Sequence, residues 1–559
     1  MHNEKDKANL LNLHFVNAGR QDDGILPNVE TIVPSGAALE NISFQDTCVI
    51  KKLNNLKLSC SPGPDKIPAV LLIKLKNQIA SPLAIMFNLI FKSGNLPDEW
   101  KIGIVKPLFK KGSSSDASNY RPISLTCIIC KIFESIVKDH ILSFLSKLNC
   151  ISRDQHGFLK GHSTITNLFE CFNDWSTSLD QKAGVGVLYM DFAKAFDVVS
   201  IPKLLLKLEK FGIGGLVLSC ITSFLTGRSQ RVKLGSVFSE SLHLVSGVPQ
   251  GSVLGPFLFI LYINDLPNVV DVDLQSKLFA DDLKLYNKPA YCPDKTRTQM
   301  ALDSVIHWSK TWQLELSIPK CGCLVISRNN NIFEDIFNLC MENSDLQMFT
   351  AVTDLGIVID NELKFNLHID GIITRAKTRI YLIFKSFSSR NVALFIFAYK
   401  TYVLPLLDYC SPIWSPDSLH LIDKLESVQR FYTKRLKNLW NVPYSDRLKI
   451  CKLTSLEFRR LLIDITLCFK IVHGYTALDF KIFFEYDLNH VTRGHNLKLK
   501  LPKFKSHCRE HFFAVRICPI WNSLPHTLVN AHSINSFKRL LLSTSKNALC
   551  KFLKRNYDF

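Results

Sequence analysis

The stretch that most constrains the fold is LFADDLKLY, Leu278 to Tyr286, in which two adjacent aspartates separate two short apolar runs. The runs predict the two arms of a β-hairpin. Asp281-Asp282 is a poor hairpin turn, because two-residue loops favour Asn-Gly or Asp-Gly and because neighbouring negative charges repel. A hard divalent cation such as Mg²⁺ takes oxygen ligands and would offset that repulsion. The alternative is an ordinary solvated acidic turn.

The overall charge points to a polyanionic partner. The chain has 559 residues, is 47% hydrophobic and carries a formal net charge of +19, so it can form substantial cores and can bind nucleic acid or an anionic membrane surface. A membrane span is not expected, since the sequence lacks an apolar run of about 18 residues. The N-terminus has no apolar signal segment, so we predict an intracellular protein of the nucleus or cytoplasm rather than a secreted one.

The seventeen cysteines do not predict a disulfide framework or a zinc site. Their odd number and irregular spacing are typical of reduced intracellular thiols. The pairs Cys127/Cys130 and Cys321/Cys323 each lack a second Cys or His pair at zinc-site spacing, so we interpret them as buried thiols and expect no zinc there.

A third carboxylate lies at the end of another apolar run. In GVGVLYMDFAKAFDVV a buried strand is predicted from Val185 to Met190, and Asp191 follows it directly. A strand-end aspartate can also be a helix cap. If these strands pair in one antiparallel sheet, Asp191 meets Asp281 and Asp282, and three carboxylates can hold two metal ions about 4 Å apart for an in-line phosphoryl displacement.

Two further segments are candidates for binding. Trp100 to Thr126 predicts a β-hairpin that brings Lys106, Lys110 and Arg121 together as a grip for a triphosphate, although each could be a simple surface charge. Val245 to Pro267 predicts a Gly/Pro-rich loop followed by a very apolar helix, and such a loop lets the backbone approach a ligand closely.

The coarse secondary-structure prediction covers the remaining chain. Helices are expected from Ala69 to Ala80, from Trp308 onward, and through most of Phe365 to about Val472, with strands from Cys323 to Ile326 and from Ile357 to Ile359. The last 69 residues, from Val491, contain thirteen Lys/Arg and only two acidic residues. Their aromatic residues favour a folded region over a disordered basic arm.

Together and in order, these segments resemble the motifs of a reverse transcriptase. The runs are WKIGIVKPLFKKG, NYRPISL, DFAKAFD, SGVPQGSVLGP, FADD, the segment at Lys320 and LGIVID, followed by LLDYCSPIWSP and WNSLP. They are similar to those of non-LTR retrotransposon enzymes of the jockey-like, LINE type. The resemblance implies an α+β, right-hand polymerase fold: a lead-in (1–58), fingers (59–183), a palm with an antiparallel sheet (184–360), a helical thumb (361–480) and a basic, mostly helical C-terminal region (481–559).

The resemblance also implies an activity and a set of partners. The chain would be an RNA-directed DNA polymerase using an RNA template, a DNA primer, deoxynucleoside triphosphates and two Mg²⁺, with Mn²⁺ as the alternative ion. The sequence does not predict its oligomeric state.

The residue roles follow from the matched motifs. Asp191, Asp281 and Asp282 would be the catalytic, metal-binding carboxylates, and Lys320 would protonate the leaving pyrophosphate. The nucleotide-binding residues would be Lys110, Arg121, Phe196, Gln250 and Gly251. The primer grip would be Leu355 and Gly356. Phe196 would reject a ribose 2′-hydroxyl.

Some positions depart from the family pattern. Lys66 replaces a glycine, and Leu159 and His162 replace arginines, so contacts to phosphate or template would be lost. Relatives carry an upstream endonuclease domain, and we expect this chain to lack one. The competing hypothesis is therefore a degenerate or co-opted copy that binds nucleic acid without polymerising. An endonuclease using the same metal pair is disfavoured, because the sugar gate, primer grip and glycine loop would then have no purpose.

Overall fold

The computed structural model of the protein describes residues 3–270, 273–287, 294–327, 338–342, 344–389, 391–487, 494–544 and 549–555. Strands occupy the first two thirds of the chain, and helices make up most of the rest. The described strands are β1 (Ile102–Phe109), β2 (Tyr120–Leu125), β3 (Val185–Met190), β4 (Ser229–Leu234), β5 (Val237–Phe238), β6 (Leu242–His243), β7 (Leu274–Phe279), β8 (Asp282–Asn287), β9 (Gly322–Ile326), β10 (Cys340–Met341), β11 (Ser344–Asp345), β12 (Gln347–Phe349), β13 (Ala351–Asp354) and β14 (Ile357–Asp360).

The described helices fall into a group that surrounds the sheets and a later group that packs mainly on itself. The first group is α1 (Glu4–Val16), α2 (Asp46–Asn54), α3 (Ala69–Lys74), α4 (Lys76–Ser93), α5 (Asp98–Lys101), α6 (Ile128–Lys147), α7 (Thr164–Asp180), α8 (Ile201–Lys210), α9 (Gly215–Leu225), α10 (Leu254–Tyr262) and α11 (Lys295–Thr311). The second group is α12 (Asn366–Ser386), α13 (Val392–Tyr402), α14 (Leu404–Asp408), α15 (Ser411–Trp414), α16 (Leu419–Lys434), α17 (Tyr444–Cys451), α18 (Leu456–Val472), α19 (Phe480–Phe483), α20 (His507–Glu510), α21 (Phe513–Asn522), α22 (His526–Val529) and α23 (Ile534–Thr544).

A five-stranded sheet in the order β12-β9-β3-β8-β7 forms the centre of the molecule. Strand β3 pairs antiparallel with both β8 and β9, and β7 pairs antiparallel with β8. The edge strand β12 runs parallel to β9, so the sheet is mixed and the prediction of an antiparallel sheet is wrong at this edge. Strands β9 and β12 are not joined by a hairpin, which leaves their relative direction open at the level of sequence.

The central sheet is buried on both faces. Val187 and Tyr189 of β3 belong to one hydrophobic core, shared with the later helices, while Leu188 and Met190 belong to the other, shared with the early helices. This alternation follows from the two-residue side-chain period of a strand. A strand covered on both faces reads as a continuous apolar run, which explains why Val185 to Met190 is uninterrupted.

A second sheet carries the predicted fingers hairpin. Strands β1 and β2 pair antiparallel, and β1 pairs parallel with β4. Helix α1 lies against this sheet, where the Asn12 side chain donates hydrogen bonds to the carbonyls of Gln230 and Glu240.

Two helix predictions differ from the structure. The helix expected from Ala69 to Ala80 is two helices, α3 and α4, separated at Leu75, which has non-helical backbone angles. The helix expected from Trp308 begins earlier, at Lys295, and ends at Thr311, so Trp308 lies in its last turn. Among the residues that the structure describes, no helix combines the length and apolarity needed to span a membrane.

Candidate active site

The three predicted carboxylates come together at one end of the central sheet. The last paired residues of β3 and β8 in this direction are Met190 and Leu283, and Asp191 and Asp282 occupy the next position on each strand. Residues at facing positions of an antiparallel pair have Cβ atoms about 4.5–5.5 Å apart and lie on the same side of the sheet. The turn of the predicted hairpin consists of Ala280 and Asp281, because Asp282 already pairs with Phe279.

A lysine neutralises one of these carboxylates. The Lys320 ammonium lies 2.5 Å from Asp191 Oδ2. The segment before Lys320 is fixed along the start of the Asp191 loop, where the Ser317 amide donates to the Asp191 carbonyl at 2.7 Å and the Ala193 amide donates to Glu315. The predicted catalytic lysine and the predicted catalytic aspartate are therefore in direct contact.

The carboxylates destabilise one another's charged forms. Burial, together with the charge of Asp191, raises the pKa of Asp281 above its ordinary value, although Arg121 and Lys320 oppose this. Asp282 is exposed by surface area, but the surrounding protein of the cleft and the charges of Asp281 and Asp191 raise its pKa to about 7. Burial and mutual repulsion thus disfavour the ionised forms of Asp281 and Asp282 more than the nearby cations favour them.

This donor set fits divalent metal ions. The three carboxylates provide the oxygen ligands that Mg²⁺ takes. A bound cation would offset their mutual repulsion and stabilise their ionised forms. The three carboxylates are not gathered as tightly as a closed metal cage, since among the described residues only a different group brings three ligand atoms within 4.8 Å of one another.

The hairpin turn is held in place by the segment DQHGF. The Gln155 side-chain oxygen accepts hydrogen bonds from the amides of Ala280, at 2.9 Å, and Gly157, at 2.7 Å. A Cβ atom on Gly157 would lie 2.5 Å from the Ala280 amide nitrogen, so only glycine fits at this close approach. Ala280 itself has a left-handed backbone, with φ +57°. The backbone next to Asp281 is therefore held by Gln155, which lies outside the hairpin.

The predicted cations of the fingers hairpin lie close to the carboxylates. Arg121 is on β2 opposite Leu108, and the Lys110 amide donates to the Asn119 carbonyl just beyond the last pair of the hairpin. Burial and the charges of Arg121 and Lys320 lower the pKa of Lys110, while the charges of Asp191 and Asp281 raise it. Lys110 and Arg121 thus share the electrostatic environment of the site. Lys106 of β1 is exposed, as these two residues are.

Phe196 lies in the turn segment between β3 and α8, and it packs against the apolar helix that follows the glycine loop. Its ring stacks on Phe259 of α10, with 4.4 Å between centroids, and meets Phe158 edge-on at 6.2 Å. The loop itself passes directly over this segment, because the Val248 amide donates to the Phe196 carbonyl at 2.8 Å. A Cβ on Gly247 would lie 2.9 Å from the same carbonyl. The close approach explains the glycine of the motif SGVPQG.

Gln250 connects this loop to the fingers and to a second aspartate. Its backbone carbonyl accepts a hydrogen bond from the Ser124 amide at 2.8 Å, and its side-chain amide donates to Asp197 Oδ1 at 2.9 Å. Gly251 has φ +115°, and a Cβ there would lie 2.3 Å from the Ser124 carbonyl oxygen. Gln250 and Gly251 are therefore at the junction of the two sheets.

Asp197 is the polar residue of this region that the sequence interpretation missed. Burial raises the pKa of Asp197 to about 6, against the opposing effects of the Gln250 hydrogen bond and the charges of Lys194, Lys110 and Arg121. Asp197 is the second aspartate of the motif DFAKAFD, so it could have been noticed in the sequence. Nothing near it in the sequence indicates that it holds the Gln250 side chain.

The predicted primer grip is the turn between β13 and β14. Leu355 and Gly356 have positive φ values of +45° and +85°. Tyr409 of the helical half donates a hydrogen bond to the Leu355 carbonyl at 2.8 Å. Just before the turn, Asp354 forms an ion pair of 2.8 Å with Lys284, and both side chains are almost fully buried.

Lys284 therefore connects the predicted grip turn to β8, the strand that begins at Asp282. It lies two residues after Asp282 on β8 and also donates to Asn167 Oδ1 of α7 at 2.6 Å. In the sequence, Lys284 stands out as a charged residue between two leucines of an otherwise apolar strand. Its partner, 70 residues away, could not be identified from the sequence.

The departure at Lys66 concerns backbone conformation. Lys66 has φ +56°, a left-handed conformation that costs a non-glycine residue roughly 1–2 kcal/mol. The glycine that the family pattern places here suits this conformation, so the substitution adds strain rather than only removing a contact. His162 packs edge-on against His156, with 5.1 Å between centroids.

Comparisons with known proteins agree with the motif order. Residues 109–354 match the family model described as reverse transcriptase (RNA-dependent DNA polymerase). The chain is 27% identical over 390 residues to the probable RNA-directed DNA polymerase from transposon X-element of Drosophila melanogaster, covering 68% of this chain and 42% of that protein. It is 26% identical over 400 residues to the RNA-directed DNA polymerase from mobile element jockey of the same species, covering 70% and 43%.

A jockey polymerase from Drosophila funebris gives a similar match, 26% identity over 407 residues, covering 71% of this chain and 44% of that protein. The chain thus spans less than half the length of these relatives. Residues 109–354 thus match the reverse transcriptase family, and the chain is similar to the RNA-directed DNA polymerases of the X-element and jockey mobile elements.

Proposed function

We propose that this chain is an RNA-directed DNA polymerase that extends a DNA primer with deoxynucleotides on an RNA template. The observation that carries the proposal is the position of Asp191 and Asp282 on neighbouring strands, with Asp281 in the adjoining turn and Lys110 and Arg121 within their electrostatic reach. The net charge of +19 suits a nucleic-acid partner. The similarity to the jockey and X-element polymerases supports the same conclusion.

In the proposed right-hand arrangement, the lead-in (1–58) is followed by the fingers (59–183) and the palm (184–360), which together enclose the site. The thumb (361–480) comes next in the chain. The basic region (481–559) then follows the thumb. The ion pair between Lys284 and Asp354 and the hydrogen bond from Tyr409 to Leu355 support this assignment, because they connect the catalytic strand, the grip turn and the helical half.

The proposed reaction is a nucleotidyl transfer. The primer 3′-hydroxyl gives up its proton to water, and its oxygen forms a bond to the α-phosphorus. The bond between that phosphorus and the bridging oxygen breaks, and pyrophosphate leaves with the electron pair. Asp191, Asp281 and Asp282 would hold two Mg²⁺, or Mn²⁺ as the alternative, which supply charge stabilisation for the attacking and leaving oxygens.

Each remaining residue has a role suited to its surroundings. Lys110 and Arg121 bind the triphosphate, and Phe196 and the Gln250-Gly251 loop contact the incoming nucleotide. Lys320, once released from Asp191, donates a proton to the leaving pyrophosphate. The Leu355-Gly356 turn positions the primer end.

The test is primer extension on an RNA template with Mg²⁺, comparing the parent with Asp281→Asn. We expect template-dependent products from the parent and a loss of at least about 10²-fold in the variant. The matched control is Asp303→Asn, which removes an exposed carboxylate of α11 and is expected to leave synthesis unchanged. Salt-sensitive RNA binding without synthesis by the parent would favour the binding-only alternative.

The sugar gate has its own test. Phe196→Val removes the ring that stacks on Phe259 and is expected to raise ribonucleotide incorporation relative to deoxynucleotides by about 10–10²-fold. Competition between the two nucleotide types in the same extension assay measures this. Unchanged discrimination in an active Phe196→Val protein would contradict the assignment.

A further inference from the structure

A group of three metal-ligating side chains lies far from the carboxylates of β3 and β8. Asp417 is in the loop between α15 and α16, His507 begins α20, and His511 follows the end of α20. One ligand atom from each of the three lies within 4.8 Å of the others. Among the described residues this is the only such group, and it joins segments about 90 residues apart in the sequence.

The geometry of the group centres on one carboxylate oxygen. His511 Nε2 is 2.6 Å and His507 Nε2 is 3.3 Å from Asp417 Oδ2, and the two imidazole rings meet edge-on with 4.2 Å between centroids. Both histidines therefore present the same ring nitrogen to the same acceptor. The spacing His-x₃-His places them one helical turn apart, as ligand pairs on a helix often are.

The group borders a cavity. A cavity of about 740 Å³ is lined by all three residues and by parts of α12, α16 and the segment after α15. The side chains of Asp417 and His511 are about one third exposed, whereas that of His507 is 70% exposed. A fourth ligand, such as water, therefore has room to approach from the open side.

We propose that Asp417, His507 and His511 bind a zinc-type divalent transition metal ion. Two imidazole nitrogens and one carboxylate oxygen are a donor set that suits Zn²⁺, and three protein ligands plus an open position is a common arrangement for it. Binding requires the His511 nitrogen and the Asp417 oxygen to separate by about 0.5–1 Å, because two ligands of a tetrahedral ion with bonds near 2.0–2.1 Å are roughly 3.3 Å apart.

The ion would fasten the loop before α16 to helix α20. Helix α20 is already held on α7, since the Arg509 guanidinium donates to the carbonyl and side chain of Asn173 and to Ser176. Asp180 at the end of α7 accepts hydrogen bonds from the amides of Lys505 and Ser506. A metal bound to Asp417 would connect this docked segment to the loop before α16.

A nearby lysine is the competing cation. Lys554 Nζ lies 3.8 Å from Asp417 Oδ2 and donates to the Asp417 backbone carbonyl at 2.6 Å. The metal-free alternative is therefore an Asp417 carboxylate in contact with the two histidines, with Lys554 beside it. The experiment has to distinguish these two states.

The test uses the full chain carrying Asp281→Asn, so that neither the result nor its interpretation depends on polymerase activity. After treatment with a chelator, the protein is titrated with Zn²⁺ alone against a chromophoric competitor, and with Co²⁺, whose visible absorption reports coordination by protein ligands. We expect one zinc per chain, a Co²⁺ absorption band, a higher unfolding temperature with zinc, and no competition from Mg²⁺.

Variants locate the ion. His507→Ala and His511→Ala are expected to weaken zinc binding by at least about 10–100-fold and to remove the Co²⁺ band. His507 is mostly exposed, so its replacement is not expected to impair folding. The matched control is His420→Ala, which alters the same cavity outside the triad and should bind zinc like the parent. Absence of stoichiometric binding, or equal binding by all three variants, would overturn the proposal.

Discussion

Two lysine–aspartate pairs flank strands β3 and β8, and they differ strongly in burial. Lys284 and Asp354 are 2% and 4% exposed, whereas Lys320 and Asp191 are 64% and 29% exposed. A buried ion pair that loses one partner leaves an unpaired charge in a low-dielectric interior, while an exposed pair can exchange its partner for water or another ion. The buried pair therefore fixes structure, and the exposed pair is free to take part in chemistry.

The largest expected effect is on the buried pair. Lys284→Ala leaves the Asp354 carboxylate and the Asn167 amide oxygen without their ammonium donor, so the free energy of unfolding should fall by about 3–5 kcal/mol. Denaturant unfolding measures this. The double variant Lys284→Met, Asp354→Leu should recover most of the loss, since it removes both charges. A small effect of the single variant would contradict the structural role of the buried Lys284–Asp354 pair.

The exposed pair should show the opposite behaviour. Lys320→Met is expected to change the free energy of unfolding by less than about 1 kcal/mol but to slow nucleotide addition by about 10²-fold or more. Rapid-quench measurements give the rate of nucleotide addition. Denaturant unfolding of the same variant distinguishes a chemical role from a structural defect, which would lower the rate and the stability together.

A third charged group lies between these extremes. Asp197 is held by the Gln250 amide, and burial raises its pKa to about 6 from an ordinary value of 3.8. Its charged form is thus disfavoured in the folded state, so the penalty is full above pH 6 and absent below about pH 4. Asp197→Asn should be more stable than the parent by about 1–3 kcal/mol at pH 8.

This advantage should shrink as the pH falls from 6 towards 4. Thermal unfolding of both proteins between pH 4 and 8 measures it. Gln250→Ala is a useful companion, because it removes the hydrogen bond and leaves the buried carboxylate in place. A constant difference between parent and Asp197→Asn at all pH values would show that burial of the charge is not the cause.

The smallest effect concerns strain rather than charge. Lys66→Gly relieves a left-handed backbone and should stabilise the protein by about 1 kcal/mol. Lys66→Ala is the matched control, since it removes the same side chain without relieving the strain. A gain in both variants would assign the effect to the lysine charge instead.

Part of the candidate site could be predicted because its determinants are local. The apolar run before Asp191 and the two runs around Asp281 and Asp282 predicted strands that the structure contains as β3, β7 and β8. The glycines of SGVPQG predicted close backbone approach, which Gly247 and Gly251 show. The order of the motifs, finally, was enough to predict the reverse transcriptase resemblance.

Other features depended on partners distant in sequence. Lys284 and Lys320 are both lysines in or beside apolar strands, and nothing local shows that one is buried and the other open. The parallel pairing of β12 with β9 and the role of Asp197 were missed for the same reason. Sequence patterns report a residue's own periodicity, whereas burial and ion pairing depend on which segments pack together.

The sequence by itself determined the chemistry available: three carboxylates after or beside apolar strands, cations in a β-hairpin, and a glycine loop before an apolar helix. Only the tertiary structure decided which charges meet. Asp191 faces Asp282 because β3 and β8 pair in register, and Asp417 meets two histidines 90 residues later because α20 docks on α7. The physical reason is that charge interactions act over a few ångströms in space, and chain folding alone sets those distances.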